Sequence, residues 1–196
     1  LRDGQYFDLQ ELKVQKEEVF VDCGAFDGDT SIEFKKWCKE NYKHIYAFEP
    51  DEDNNSLCKQ NLDEDIHKGK CTVFNKGTWS KETILEFSKN SDEASHICEG
   101  GTEKIEVLSL DAELLHKKDE KVTFIKMDIE GAELETLKGA SQIIATQKPK
   151  LAVCVYHKPE DIFTIPEYLR TLNPDYKFYL RHYTFAEWDT VLYAIP

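Results

Sequence analysis

Residues 19–31 read Val-Phe-Val-Asp-Cys-Gly-Ala-Phe-Asp-Gly-Asp-Thr-Ser, and this segment indicates how the chain folds. Three apolar residues end in an acid, and two glycines then precede a Thr-Ser-Ile-Glu capping box. The pattern predicts a first strand over residues 19–22, a glycine loop and a helix over about residues 30–41. In such units, glycine backbone and the free N–H groups at the helix start form a ligand-binding site.

The rest of the chain alternates short apolar segments with amphipathic ones, which is typical of an α/β sheet with parallel crossovers. Four further parallel strands are predicted, over residues 45–48, 71–74, 122–127 and 151–156. The last two strands, near residues 176–182 and 190–194, are joined by too short a link for a crossover, so they form an antiparallel hairpin. Short β-rich pieces in residues 79–110 predict a β-hairpin insertion.

Composition limits the size and the partners of the fold. The chain has 196 residues, of which 40% are hydrophobic, and this suits one domain over residues 1–196. A net charge of −13 disfavours nucleic acid and anionic membranes as partners, and a solvated acidic surface that aids solubility is the main explanation of the charge itself. The six cysteines show no metal-binding spacing, which indicates a reduced, cytoplasmic location. The chain starts at Leu1 and not at Met, so the alternative that it is a fragment of a longer protein stays open.

Carboxylates dominate the predicted glycine loop, where Asp22, Asp27 and Asp29 lie close together in sequence. They would repel the pyrophosphate of a dinucleotide. S-adenosylmethionine instead carries an ammonium and a sulfonium against one carboxylate, so it is a cation overall. The charge of the loop therefore favours S-adenosylmethionine as the ligand.

Glu49 ends the second predicted strand, where a carboxylate can accept hydrogen bonds from both ribose hydroxyls of an adenosine. It follows Gly28 by 21 residues (49 − 28), which is also close to the spacing in NAD-binding proteins. Gly24 and Gly28, however, form a G-x-x-x-G pattern and not G-x-G-x-x-G. An NAD-dependent enzyme stays a weaker alternative, and Glu49 as a mere helix-capping acid is another.

Four motifs of the chain, VDCGAFDGDT, AFEP, LSLDAELL and FIKMDIEGAELETLKGA, resemble the FkbM family of class I S-adenosylmethionine-dependent O-methyltransferases. The resemblance covers about residues 19–195. It implies a Rossmann-like three-layer α/β sandwich with a mostly parallel seven-stranded sheet. It also implies methyl transfer to a hydroxyl of a sugar, a glycan or another small-molecule alcohol. A non-catalytic module that keeps this fold is the alternative.

The resemblance also implies the residues that bind the cofactor. Asp22 would order the glycine loop and face the methionine ammonium, and Gly24 would let the backbone approach the cofactor. In class I proteins the end of the third strand lies near the adenine, which adds Asn75 and Gly77. The complete predicted cofactor-binding set is Asp22, Gly24, Ala25, Phe26, Gly28, Thr30, Glu49, Pro50, Asn75 and Gly77.

Asp128 and Glu130 follow the fourth predicted strand, at the edge where open α/β sheets bind their ligands. A carboxylate there can take the proton of an attacking hydroxyl or hold a metal that acidifies it, so both are candidate catalytic residues. His157 ends the fifth strand at the same edge and is a candidate general base, as is His182 in the terminal hairpin. Glu130 and Glu133 could instead only stabilise the start of a helix by charge.

Other expectations concern the surroundings of this site. Lys126 lies in an apolar strand and is predicted to pair with an acid near the site. Asp111 is predicted to cap the helix that follows it and, with Asp128 and Glu130, to be a candidate Mg²⁺ ligand, although a need for metal stays undecided. The acceptor site is predicted to have aromatic walls on which a sugar could stack, namely Tyr156, Tyr183 and Trp188. The oligomeric state is left open.

Overall fold

The computed structural model describes residues 4–88, 96–97, 103–117, 119–185 and 188–196. Its strands are β1 (Glu18–Cys23), β2 (Tyr42–Phe48), β3 (Cys71–Phe74), β4 (Gly77–Thr78), β5 (Thr83–Ser88), β6 (His96–Ile97), β7 (Glu103–Leu108), β8 (Phe124–Met127), β9 (Lys150–Cys154), β10 (Lys177–His182) and β11 (Thr190–Ile195). Its helices are α1 (Asp29–Trp37), α2 (Glu52–Asn61), α3 (Asp63–His67), α4 (Leu110–Leu114), α5 (Glu133–Lys138), α6 (Ser141–Gln147) and α7 (Asp161–Leu172). Within these residues, no helix combines the length and the apolar character needed to cross a membrane.

The main sheet of the described chain has seven strands in the order β10-β11-β9-β8-β1-β2-β3. The pairs from β9 through β3 are parallel, and β11 pairs antiparallel with both β9 and β10. This confirms the predicted mostly parallel sheet with a terminal antiparallel hairpin. The chain leaves β1 towards β2 on one side and returns to β8 on the other, so the strand order switches at β1. Ligands of open α/β sheets bind at such a switch, beyond the carboxyl ends of the strands.

Apolar residues cover both faces of the sheet, which is why β1, β8 and β9 are buried along their whole length. One core cluster joins the sheet to α4, α5, α6 and α7, and the other joins it to α1, α2 and the segment before β1. Phe20 of β1 stacks on Phe34 of α1 with ring centroids 4.3 Å apart. The fold is therefore the three-layer, Rossmann-like sandwich that the sequence predicts.

The predicted insertion near residues 79–110 forms a second sheet, with the order β4-β7-β5-β6 in the described residues. The antiparallel pair β5 and β7 is the expected hairpin. The added strand β4 pairs parallel with β7, and this pairing brings Gly77 and Thr78 to the wall of the main-sheet crevice. Residues 89–95 and 98–102 of the predicted insertion lie outside the described residues.

The start of α1 differs from the predicted capping box. The N-cap is Gly28, in the left-handed region with φ 88°, and it makes no side-chain cap. Thr30 lies inside the first turn, where its N–H and hydroxyl bond to Asp29 Oδ1. The helix ends at Trp37 and not near residue 41, because Lys39 and Glu40 also take left-handed conformations.

Asp111 caps a different helix from the predicted one. Ser109 is the N-cap of α4, where its hydroxyl accepts a hydrogen bond from the N–H of Ala112. The Asp111 carboxylate instead accepts from the N–H groups of Gln142 and Ile143 at the start of α6, each at 2.9 Å. The prediction was wrong because capping patterns are local in sequence, whereas α6 reaches Asp111 only through the packing of α4 on α6.

Candidate active site

A cavity of about 440 Å³ opens at the carboxyl ends of β1, β2 and β8, where the strand order switches. Residues from the glycine loop, the end of β2, β4 and the loop after β8 form its walls. Eight predicted site residues line it: Gly24, Phe26, Thr30, Glu49, Pro50, Gly77, Asp128 and Glu130. Five others do not, namely Asp22, Ala25, Gly28, Asn75 and His157.

The glycine loop is held tightly between the ends of β2 and β8. The N–H groups of Gly24 and Ala25 both bond to the carbonyl of Phe48, at 3.0 and 3.1 Å. Gly24 has φ 77°, and a Cβ added to it would lie 2.0 Å from the carbonyl oxygen of Asp128. Only glycine fits there, because any side chain would meet backbone and also require a strained conformation.

Asp22 lies beneath this loop and not in the cavity wall. It is fully buried, accepts a hydrogen bond from the Ser31 hydroxyl at 2.8 Å, and lies 3.2 Å from Lys126 Nζ. Lys126 also donates to the carbonyl of Gly24 at 2.6 Å. Burial alone would lower the pKa of Lys126, but the charges of Asp22 and Asp128 outweigh it and raise the pKa. The predicted ion pair is thus present, and it ties the loop to β8.

Glu49 is the acid at the tip of β2, and it is 7% exposed. Its Oε2 accepts from the N–H of Phe26 at 2.9 Å, and its Oε1 accepts from the N–H of Asp51 at 3.0 Å. Burial raises its pKa, while these two bonds oppose the shift. Asn75 supports the same turn by donating to the carbonyls of Glu49 and Pro50. The backbone around Glu49 therefore holds its carboxylate at the cavity wall.

Two phenols hold the carboxylate of Asp128. Tyr6 donates to Oδ2 at 2.8 Å, and Tyr156 donates to Oδ1 at 3.0 Å. Burial would raise the pKa of Asp128, but Lys126 and His157 outweigh it and hold the pKa below its ordinary value. Asp128 is accordingly an anion with both oxygens already accepting hydrogen bonds.

Glu130 lies in a strained turn directly after Asp128. It has φ 54° and precedes Gly131 with φ 89°, and a left-handed conformation costs a non-glycine residue roughly 1–2 kcal/mol. Its Oε2 lies 3.4 Å from His157 Nε2, and His157 Nδ1 lies 2.8 Å from Oε1 of the fully buried Glu133. Residues held in such strain cluster at functional sites, so this turn marks Glu130 as a functional candidate.

His157 lies behind the cavity wall, and its titration can be measured. Burial lowers its pKa, but Glu133, Asp128 and Glu130 outweigh burial and raise the pKa above its ordinary value. Since the folded pKa exceeds the unfolded one, about 6.5, the resulting stability is complete below about pH 6.5 and is lost as the pH rises through the folded pKa. We expect an NMR titration of His157 to show a midpoint above about 6.5, and Glu133→Gln to lower it.

The matched control for this titration is Glu135→Gln, the same change on the same helix at a carboxylate that pairs with Lys138. It should leave the midpoint of His157 unchanged. A midpoint that ignores Glu133→Gln would contradict the electrostatic origin of the shift.

The charge of the cavity wall is strongly negative. The ionisable side chains among the described lining residues include six carboxylates, from Asp29, Glu49, Asp51, Asp128, Glu130 and Asp189, and one cation, Lys126. Such a wall attracts a positively charged ligand and disfavours phosphates. Across the described residues, no group of three or more His, Cys, Asp or Glu side chains is arranged to hold a metal ion.

Several residues near the cavity were missed by sequence reasoning or lie elsewhere than predicted. Tyr6 and Gln5 line the cavity from the chain's beginning, and Gln5 donates to Asp189 of the terminal hairpin at 3.2 Å. No local pattern could have found them, since their partners are more than a hundred residues away. None of the three predicted aromatic walls, Tyr156, Tyr183 and Trp188, lines the cavity, although Tyr156 bonds to Asp128.

His182 lies on an exposed part of β10, where its Nδ1 is 2.8 Å from the hydroxyl of Thr190. It does not line the cavity. The geometry therefore offers no support for His182 as a base.

Among solved structures, this chain is similar to the FkbM methyltransferase from Methylobacillus flagellatus KT. The two share 31% identity with a TM-score of 0.83 over 97% of this chain and 47% of that chain, so this chain spans about half the length of that protein. M. capricolum TrmK with S-adenosyl-homocysteine (12% identity, TM-score 0.52, 92% of this chain and 62% of that one) shares the fold. So does Aeropyrum pernix fibrillarin with S-adenosyl-L-methionine (11% identity, TM-score 0.52, 98% and 72%).

A search of curated protein sequences gives no match to this chain. The family model described as the methyltransferase FkbM domain, in contrast, matches residues 22–191, which is most of the chain. The matched range starts at Asp22, near the end of β1, and runs into β11, so it contains the glycine loop, Glu49 and the turn after β8. This chain belongs to the FkbM methyltransferase family.

Proposed function

We propose that the protein transfers a methyl group from S-adenosylmethionine to a hydroxyl of a sugar, a glycan or another small-molecule alcohol. The observation that carries the proposal is the Glu49 carboxylate, held at the end of β2 beside the glycine loop of β1, in a cavity walled mainly by acids. The family supports methyl transfer. The choice of oxygen as the acceptor is supported by the motifs that resemble the O-methyltransferases of this family.

The residues present fit this cofactor. Glu49 is fixed by backbone N–H groups and can accept from ribose hydroxyls, and Gly24 leaves the loop backbone bare for close approach. A cavity of about 440 Å³ lies within the usual range for small-molecule and cofactor sites, roughly 300–1,000 Å³. TrmK and fibrillarin, which share the fold, were solved with S-adenosyl-homocysteine and S-adenosyl-L-methionine.

The charge of the wall argues against the alternative of an NAD-dependent enzyme. A dinucleotide would place two phosphates in a cavity whose only lining cation among the described residues, Lys126, is already paired with Asp22. The cofactor proposed here presents no phosphate. The acidic wall therefore favours S-adenosylmethionine over NAD.

The bound cofactor would supply an electrophilic methyl group, and the chain's residues would bind it, orient the acceptor and take up the acceptor's proton. We assign the proton to Glu130, because both oxygens of Asp128 already accept from phenols. His157, whose pKa is raised, would pair with Glu130 rather than act as the base itself. The reaction step needs only a carboxylate base, since the hydroxyl becomes more acidic as its oxygen gains the methyl group.

Isothermal titration with S-adenosylhomocysteine tests the cofactor site. The wild type should bind, and Glu49→Ala should weaken binding about 100-fold, because two hydrogen bonds to a charged acceptor are lost. Asp22→Ala should also weaken binding, provided that circular dichroism shows it folded. Glu52→Ala is the control, because this exposed acid lies three residues away on α2.

No binding by the wild type, or binding untouched by Glu49→Ala, would overturn the proposal. The transfer itself is tested with a methyl-labelled donor and a panel of uncharged sugars and alcohols, in which label should appear as a methyl ether. Label found on nitrogen or carbon would exclude the oxygen acceptor. Addition of EDTA and then Mg²⁺ to the same assay decides the dependence on metal.

A further inference from the structure

The segment before β1 supplies part of the active-site wall, although the family match begins only at residue 22. Tyr6 is 2% exposed, and its hydroxyl reaches Asp128 across 122 positions of sequence. Its left-handed backbone, φ 73°, lies inside the turn that is closed by the bond from Phe7 N–H to the Gly4 carbonyl. Leu9 and Leu12 anchor the segment in the core. The phenol of Tyr6 is therefore built into the site.

The carboxylate of Asp128 is arranged to stay charged. It accepts from two phenols, and hydrogen bonds from neutral donors stabilise the anionic form of a carboxylate. Burial raises the pKa of both Tyr6 and Tyr156, so both remain donors at neutral pH. Lys126 Nζ lies 5.5 Å from the centroid of the Tyr6 ring and 3.2 Å from Asp22 Oδ1. Asp128 thus presents a fixed negative charge to the cavity.

The strand order places this charge at a definite distance from Glu49. Glu49 follows β2, Asp128 follows β8, and β1 lies between them. Neighbouring strands lie about 4.8 Å apart, so the two strand ends are separated by roughly 10 Å. The loop after β1 touches the Asp128 backbone at Gly24. An adenosine whose ribose lies on Glu49 and whose sulfur lies over this loop would have its sulfonium beside Asp128.

We propose that Asp128 recognises the positive charge of the methyl donor, and that Tyr6 is the positioning residue that holds Asp128 for this task. The inference rests on the proposed function and deepens it. Transfer of the methyl group forms a C–O bond, breaks the C–S bond and leaves a neutral thioether, while the hydroxyl proton goes to Glu130. Asp128 therefore attracts the sulfonium of S-adenosylmethionine, and this attraction is absent for the neutral thioether of the product.

Isothermal titration with three ligands tests this inference without an acceptor. S-adenosylmethionine carries a sulfonium, sinefungin carries an ammonium at the same place, and S-adenosylhomocysteine is neutral there. Asp128→Asn should weaken binding of the two cationic ligands about tenfold more than binding of the neutral one, the size of one charge-assisted interaction. Tyr6→Phe should change the ratio of affinities for the cationic and the neutral ligands in the same direction as Asp128→Asn. The change should be about threefold, because one hydrogen bond to the carboxylate is lost.

Asp65→Asn is the matched control for Asp128→Asn. Asp65 also bonds to a tyrosine and a lysine, Tyr42 and Lys35, but it lies outside the cavity. It should leave the ratio of affinities unchanged. Tyr176→Phe is the corresponding control for Tyr6→Phe, because its hydroxyl donates to the carbonyl of Pro149 away from the site.

The same titrations distinguish failure of the proposed function from failure of the inference about Asp128 and Tyr6. Absence of S-adenosylhomocysteine binding by the wild type would overturn the proposed function and the inference with it. Normal binding of that ligand, with equal weakening of all three ligands by Asp128→Asn, would overturn the inference alone. If Asp128→Asn does not fold, Tyr6→Phe decides, since a ratio equal to the wild-type value would then overturn the inference.

Discussion

Gly24→Ala is expected to lower the free energy of unfolding by about 4 kcal/mol and to abolish binding of S-adenosylhomocysteine. The added Cβ would lie 2.0 Å from the carbonyl oxygen of Asp128 and 3.0 Å from its carbonyl carbon. Neither backbone atom can move without separating β1 from β8. The measurements are chemical denaturation followed by circular dichroism, and calorimetric titration of the folded fraction.

Gly69→Ala is the matched control for this substitution. Gly69 also has a positive φ, 68°, but a Cβ added there meets nothing within 4 Å. Gly69→Ala should lower the free energy of unfolding only by the conformational strain, roughly 1–2 kcal/mol, and leave ligand binding intact. An equal loss of stability in both variants would show that the close contact of Gly24 with Asp128 is unimportant.

Lys126→Met is expected to lower the free energy of unfolding by about 3–5 kcal/mol, because it leaves the buried Asp22 carboxylate without its cation. Lys126 is 2% exposed, lies 3.2 Å from Asp22 Oδ1 and bonds to the Gly24 carbonyl. The methionine side chain fills similar space, so the loss measures charge and hydrogen bonding more than packing. Denaturation curves of the single variant and the wild type give the value.

The double variant Lys126→Met with Asp22→Asn tests the cause of that loss. Removing the orphan charge should recover part of the stability, so the double variant should be more stable than the sum of the two single losses predicts. Lys35→Met, at the partly exposed pair with Asp65, should cost less, because water screens that pair better. Strict additivity in the double variant would contradict an ion pair between Lys126 and Asp22.

Much of the site could be predicted because its residues lie at the ends of strands. Gly24, Glu49 and Asp128 each follow an apolar strand, and in a parallel sheet such positions meet at one edge whatever the detailed packing. Lys126 was predicted to pair because an unpaired charge in a buried strand is costly. The identity of its partner, Asp22, needed the adjacency of β1 and β8.

Other features could not be predicted, because they join elements that sequence does not bring together. Asp111 lies at the start of one helix and caps another, and Tyr6 reaches Asp128 across 122 positions of sequence. The capping box at Thr30 failed for a different, local reason, since Gly28 is the N-cap in a left-handed conformation and the helix already starts at Asp29. Local patterns describe what a residue can do and leave open which partner it meets.

The alternation of strands and helices, the glycine loop and the acids at the edge of the sheet follow from the amino-acid sequence alone, because they depend on periodicity and on single-residue conformational preferences. The three-dimensional packing sets which carboxylate accepts from two phenols, which carboxylate lies in a strained turn, and which acid pairs with Lys126. Those outcomes depend on distances of a few ångströms between strands and segments far apart in sequence. Strand order and core packing set these distances, and no local pattern encodes them.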